Sequence, residues 1–156
     1  MHTHILIPTD GSELSVITVE YGVALAKSVG ARVTGLTVSR PVPRVSAAPA
    51  RQATSARERA AAAAAGRLAR ITEAAAKAGV DCDVVHVQHR QPYKSIIDTA
   101  NSKGCDLIVM ASHGRRGIAA LVLGSETVKV LTHSQVPVLV FRGQRSLLVP
   151  DYFAAS

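Results

Sequence analysis

The sequence predicts an α/β fold: a three-layer α/β/α sandwich around a five-stranded parallel sheet, Rossmann-like in its winding. Three observations lead there. Short apolar runs alternate with segments of helical period, five of the first and four of the second. One run, 105–111 (CDLIVMA), is continuously apolar, as a parallel strand buried on both faces must be. Right-handed crossovers between parallel strands then place helices on both faces of the sheet.

The elements follow in order. His4–Pro8 (HILIP) is a short apolar strand that ends at once in Thr9-Asp10-Gly11-Ser12, a turn. Over 12–29 the apolar residues Val16, Val19, Val23 and Ala26 recur at helical spacing, and Gly30 is a stop. Residues 31–38 (ARVTGLTV) form the second strand. The stretch 39–55 holds three prolines among small residues and reads as a long, mobile loop. A helix follows, with six alanines at 60–65 and then Leu68, Ile71 and Ala75 on one face; alanine's high helix propensity offsets its weak early patterning, and Gly79 closes it. Residues 80–87 are the third strand. Pro92–Lys103 is the third helix, with Tyr93, Ile96, Ile97 and Ala100 on one side. After the strand at 105–111, a glycine-bearing loop leads to a helix at Ser125–His133, and 136–142 (VPVLVFR) is the fifth strand. The expected organisation is one domain over 1–145 and a tail over 146–156.

With 156 residues the chain is long enough to bury a core of its own. Tryptophan is absent and aromatics make up 3%, so that core is Val, Ile, Leu and Ala, and stacking platforms for single-stranded nucleic acid are lacking. The net charge is +7, and its excess is concentrated between positions 39 and 70, where seven arginines (40, 44, 51, 57, 59, 67, 70) face one acid, Glu58. Such a segment reads first as a solvated face and only second as an anion-binding surface. Cys82 and Cys105 are too few for a disulfide framework or a zinc site and read as small buried residues. His2, His4, His86, His89 and His133 have no metal-ligand spacing and read as structural or surface residues. No leader and no run of membrane-spanning length is visible, so a cytoplasmic location is expected, without a membrane partner.

In parallel α/β sheets ligands bind beyond the carboxyl ends of the strands, where the winding reverses. That directs attention to the turn at 9–12, the stretch after 39 and the loop 112–125. Gly114 and Gly117 permit a turn whose amides converge on an anion. Gly124-Ser125 opens a helix whose free N–H groups and dipole offer a second phosphate contact, and Arg115 and Arg116 add charge at the mouth. Each residue also has a plainer reading. Ser125 fits an N-cap, and Asp10 fits the N-cap of the first helix, with Glu13 completing a capping-box-like pair. His113 either donates to a phosphate or hydrogen-bonds its own loop. Ser12 and Ser125 have no recognisable base and orienting acid, so nucleophilic catalysis has no support.

These words together resemble the universal stress proteins. The resemblance rests on Ile7-Pro8-Thr9-Asp10-Gly11-Ser12, on the loop pattern G-x2-G-x9-G-[ST] at Ala111, Gly114, Gly124 and Ser125, and on Val136-Pro-Val-Leu-Val-Phe141. Ala111 stands where the pattern has its first glycine. The resemblance implies a nucleoside held by Asp10 and the backbone near Val38, with Pro8 and Thr9 shaping the pocket. It implies phosphates held by Gly114, Gly124 and Ser125, with Met110, Ala111, His113, Gly117 and Glu126 completing the site. The ligand would be ATP, ADP or AMP with Mg2+ or Mn2+ bridging phosphate oxygens, and the first and fourth strands would lie side by side. It further implies a homodimer through strand 136–141, which removes an apolar edge, and a protein partner of unknown identity. Four functions compete: a nucleotide-responsive module, a slow ATPase or phosphotransferase, a ligand-free structural dimer that Ala111 leaves open, and nucleic-acid binding through the arginine segment. The last has no recognised motif. The enzyme reading lacks a carboxylate in the loop to position water, so a binding module is expected before an enzyme.

Overall fold

The computed structural model describes residues 1–43, 49–114 and 122–143. In chain order these form β1 (His4–Pro8), α1 (Glu13–Val29), β2 (Arg32–Ser39), α2 (Ala50–Ala78), β3 (Cys82–Gln88), α3 (Pro92–Lys103), β4 (Leu107–Ala111), α4 (Ser125–His133) and β5 (Val138–Phe141). The five strands make one parallel sheet in the order β3-β2-β1-β4-β5. β1 and β4 are neighbours, with Ile5 opposite Leu107 and Leu6 opposite Ile108. From β1 the winding runs one way to β2 and β3 and the other way to β4 and β5, so the switch point lies between β1 and β4.

Side chains alternate across the central strands and build two cores. Ile5, Ile7, Val33, Leu107 and Val109 face α1 and α2, meeting Val19, Val23, Leu68 and Ile71. Leu6, Leu36, Ile108 and Met110 face the other way, onto Ile96 and Ala100 of α3 and Val130 of α4. Each fully buried aliphatic side chain contributes about 1.5–3 kcal/mol, which explains how a chain almost without aromatics holds three layers.

Most elements fall where the sequence predicts them, with boundaries displaced by a residue or two. The largest difference is α2. It begins at Ala50, so 50–55, expected in the loop, are helical. Pro49, with φ −53 and ψ 139, caps the start, and proline is tolerated there because the first helical amides need no partner within the helix. The alanine-rich sequence then propagates the helix for 29 residues. Residues 44–48 of the expected loop and the tail from 144 onward, with Tyr152 and Phe153, lie outside the described residues. Gly30 and Gly79 stop their helices in the left-handed conformation at φ 70.

Three further expectations change. Val16 is only half-buried, and the α1 core face also takes Ser15, Thr18 and Gly22. Cys105 is buried but Cys82 is half-exposed, because β3 is an edge strand. Ile97 and Tyr93 are half-buried, while Ser95 and Thr99 join Ile96 and Ala100 in the interior. Among the described residues no helix is long and apolar enough to cross a membrane.

Candidate functional site

Beyond the carboxyl ends of β1, β2 and β4 lies a cleft of about 500 Å³. The turn after β1 forms one wall. Ser12 caps α1, its side chain accepting from the Ser15 amide, so neither Asp10 nor a Glu13 capping box does this. Asp10 instead accepts the Ser12 N–H at 2.9 Å in an Asx turn, which fixes its carboxylate two residues before the N-cap. Thr9 hydrogen-bonds Ser15 through its hydroxyl and sends its amide to the Leu36 carbonyl at 2.8 Å. Thr37 donates to the Thr9 carbonyl at 2.9 Å. The turn is thereby tied to β2 and to α1.

The opposite wall is β4 and the start of α4. The Gly124 amide donates to the Ser112 carbonyl at 2.7 Å, and Thr127 Oγ1 donates to the Ala111 carbonyl at 3.0 Å. These bonds seat the first turn of α4 directly on the end of β4. Gly124, not Ser125, is the N-cap, and it brings no side-chain cap. The positive end of the helix therefore opens into the cleft with Ser125 at its first helical position.

Gly114 joins the two walls. A Cβ built on it would lie 2.3 Å from Asp10 Oδ2, so the carboxylate packs directly over the glycine. A Cβ on Gly124 would come within 3.1 Å of His113 Cα, so a side chain at Gly124 would crowd the backbone, and one at Gly114 would have to displace the Asp10 carboxylate. His113 Nδ1 pairs with the Ser112 hydroxyl at 3.1 Å, its own loop rather than a distant group.

Pro8, Thr9, Asp10, Val38, Met110, Ala111, His113, Gly114, Gly124, Ser125 and Glu126 all line this one cleft. Gly117, with Arg115 and Arg116, lies outside the described residues. Glu126 has structural work as well. Its Oε2 accepts the Tyr93 N–H at 2.9 Å, capping α3 from α4, and its Oε1 accepts from Lys129 at 3.2 Å. The sequence reading missed Leu36 and Ile96, which give the cleft an apolar floor, and two arginines, Arg40 and Arg90. In the sequence Arg40 belongs to the solvated basic segment; only its position one residue past β2 signals a place at the cleft.

A polar network occupies the other end of the sheet. The Arg32 guanidinium donates to His4 Nδ1 at 3.1 Å, which leaves the proton on Nε2 to meet Thr34 Oγ1 at 2.7 Å. Thr34 in turn donates to Asp83 Oδ1, and Lys103 donates to Asp83 Oδ2 at 2.7 Å. Burial, aided by the Arg32 charge, lowers the His4 pKa. Burial pushes the Asp83 carboxyl up, but hydrogen bonds from Lys103 and Thr34 outweigh it and the net shift is downward. Cys105, buried beside them, is pushed up to about 11.

A parallel sheet in the order 3-2-1-4-5, with a helix N-terminus and a glycine loop converging at its switch point, defines an α/β fold of the nucleotide-binding type. The chain matches the Universal stress protein family over residues 1–142, and it belongs to that family. It is 28% identical over 144 residues to Universal stress protein MJ0531 of Methanocaldococcus jannaschii, covering 91% of this chain and 83% of the relative. A shorter match, 38% identical over 55 residues, is to MJ0577 of the same organism and spans 34% of that relative. The solved structure of MJ0577 superposes with a TM-score of 0.78 at 27% identity, covering 94% of this chain and 99% of the other. Two more distant structures share the fold, each with a TM-score of 0.66. One is a universal stress protein in complex with cAMP, 23% identical and covering 90% of this chain and 96% of its own. The other, from Arabidopsis thaliana with AMP bound, is 16% identical and covers 89% and 90%.

Proposed function

We propose that the cleft binds an adenine nucleotide, ATP or its relatives ADP and AMP, and that the protein acts as a nucleotide-responsive module. The observation that carries this reading is the start of α4. Its N-cap is a glycine without a side-chain bond, its first turn is seated on β4, and it opens toward Gly114. Such a helix end accepts a phosphate without rearrangement. Two plainer roles no longer compete, since Ser12 caps α1 and Gly124 caps α4. The base lies against Val38, Leu36 and Ile96, the ribose beside Asp10 and Pro8, and the phosphates meet Gly114, Gly124 and Ser125. Mg2+ or Mn2+ rides on the phosphate oxygens. The adenine nucleotides bound by the cAMP and AMP structures support the ligand class.

We expect the site to tolerate Ala111 in place of glycine: its carbonyl is held by Thr127 Oγ1, and its side chain is one of many on the wall. Titration calorimetry with Mg-ATP tests the reading. A dissociation constant in the micromolar range, about −8 kcal/mol, is expected, and absence of heat at millimolar ATP overturns it.

One observation favours a second reading, slow hydrolysis. The carboxylate that the loop sequence lacks is supplied across the cleft by Asp10, packed on Gly114. A turnover assay comparing the wild type with Asp10→Asn separates this from pure binding.

The dimer is assigned to β5. Its residues Val138, Leu139, Val140 and Phe141 are all half-exposed, and Val128 and Leu131 of α4 are exposed beside it. The other edge, β3, exposes Asp83, His86 and Gln88 beside Val84, a more polar edge than β5 and so less suited to strand pairing. Val140→Lys is expected to convert a dimer to a monomer by light scattering, whereas Val84→Lys on β3 leaves it dimeric. A wild-type monomer at micromolar concentration contradicts this assignment.

A further inference from the structure

We infer that the cleft takes a nucleotide carrying two separated phosphates, one on the start of α4 and the other between Arg40 and Arg90; this rests on the nucleotide reading above. The strand order sets the charges in a line. Arg40 follows β2 and Arg90 follows β3, Asp10 follows β1, and the phosphate loop follows β4. Neighbouring strands stand about 4.8 Å apart, so the backbones of Arg40 and Arg90 leave the sheet about 10–14 Å from β4, and their long side chains, which line the cleft, have to span part of that distance. Asp10 stands between.

The two arginines, both exposed, leave neighbouring strand ends for a structural reason. Ser39 and Gln88 are register partners, and the His89 amide donates to the Ser39 carbonyl at 3.0 Å. His89 Nδ1 then accepts the Gln91 amide at 2.9 Å, which fixes the short connection to α3 that carries Arg90. Both arginines line the cleft, and neither has a hydrogen-bond or ion-pair partner among the described residues. Glu126, the other acid on the cleft wall, is engaged by the Tyr93 amide and Lys129 and leaves the arginines unopposed.

A continuous polyphosphate crossing the cleft would pass the Asp10 carboxylate. Two phosphates on either side of a ribose straddle it, with sugar hydroxyls facing the carboxylate. Guanidinium groups grip phosphate through paired N–H donors, so two of them suit a terminal phosphate.

Calorimetry with 5′-AMP, adenosine 3′,5′-bisphosphate and ATP on the wild type and on the Arg40→Gln, Arg90→Gln double variant tests the inference. The bisphosphate is expected to bind the wild type at least tenfold more tightly than AMP. In the double variant that preference falls to within twofold, while AMP and ATP change less than twofold. Equal binding of AMP and bisphosphate by the wild type overturns the inference and leaves the nucleotide reading standing. So does a preference that survives the double substitution, or an equal loss for all three ligands. If none of the three binds the wild type at millimolar concentration, the nucleotide reading itself fails and takes this inference with it.

Discussion

At the amino end of the sheet, His4, Thr34 and Asp83 are linked in a chain of hydrogen bonds between Arg32 and Lys103, all within the protein. At the carboxyl end, the turn after β1 is equally well tied down, yet the start of α4 has no side-chain cap and Arg40 and Arg90 find no partner among the described residues. The same five strands thus present one end whose polar side chains satisfy each other and one where the backbone is held in place while a bare helix start and two exposed arginines face the cleft. The first kind of end holds a fold together. The second is the end where we propose a ligand, at backbone groups whose orientation the fold sets before the ligand arrives. Substitutions at the two ends should separate stability from binding.

The largest effect is expected at Gly114. Gly114→Ala drives a methyl group into the Asp10 carboxylate, and nucleotide affinity should fall at least tenfold, about 1.4 kcal/mol, with little change in melting temperature. A variant that binds normally would show that the Asp10 carboxylate yields to the methyl group and that its place over Gly114 is not needed for binding. Thr34→Val at the other end should do the reverse. It strands the His4 N–H and an Asp83 oxygen, costing about 1–3 kcal/mol in urea denaturation, with nucleotide affinity unchanged.

A pH effect comes next. His4 has a folded pKa below its ordinary 6.5, so the unfolded chain takes up the proton first as pH falls. The stabilisation from neutral His4 is complete above pH 6.5 and is lost as pH drops from there toward the folded value. Asp83 and Asp106 add a loss at lower pH, below their ordinary 3.8, because both are held down. For Asp106, burial pushes upward, but hydrogen bonds from Thr3 and the His4 amide prevail. Thermal melts of His4→Gln should therefore decline less between pH 7 and 5 than those of the wild type, and a parallel decline would remove His4 from the account. The smallest effect is expected at Ala111→Gly, within threefold in nucleotide affinity; a larger gain would mean the methyl group obstructs the ligand.

The central strands and their helices were legible because continuous apolar runs and a 3.6-residue period leave few alternatives, and the family resemblance supplied the neighbouring of β1 and β4. The start of α2 was not legible. Proline, serine and alanine in 39–55 read alike as loop, and only helix propagation from the alanine run decides that 50–55 are helical. Caps were misplaced by one or two residues, since Asp10 and Ser12, or Gly124 and Ser125, are both acceptable and the choice depends on backbone direction. Arg40 and Arg90, fifty positions apart, come to neighbouring strand ends only through the β2–β3 register. The network from His4 to Thr34 to Asp83 likewise spans separations of 30 and 49 residues. Gly35 gave no sign that Ile71 needs its missing side chain, whose Cβ would lie 2.7 Å from Ile71 Cδ1. Convergence of distant positions is a property of the folded sheet, and no local pattern announces it.

The claim that the carboxyl end is built for a ligand is tested most directly by calorimetric titration of the wild-type protein with Mg-ATP, Mg-ADP and AMP. Saturable binding of at least one of them in the micromolar range, lost in Gly114→Ala and kept in Thr34→Val, is the expected result. No heat at millimolar concentrations of all three, or equal loss in both variants, would contradict it.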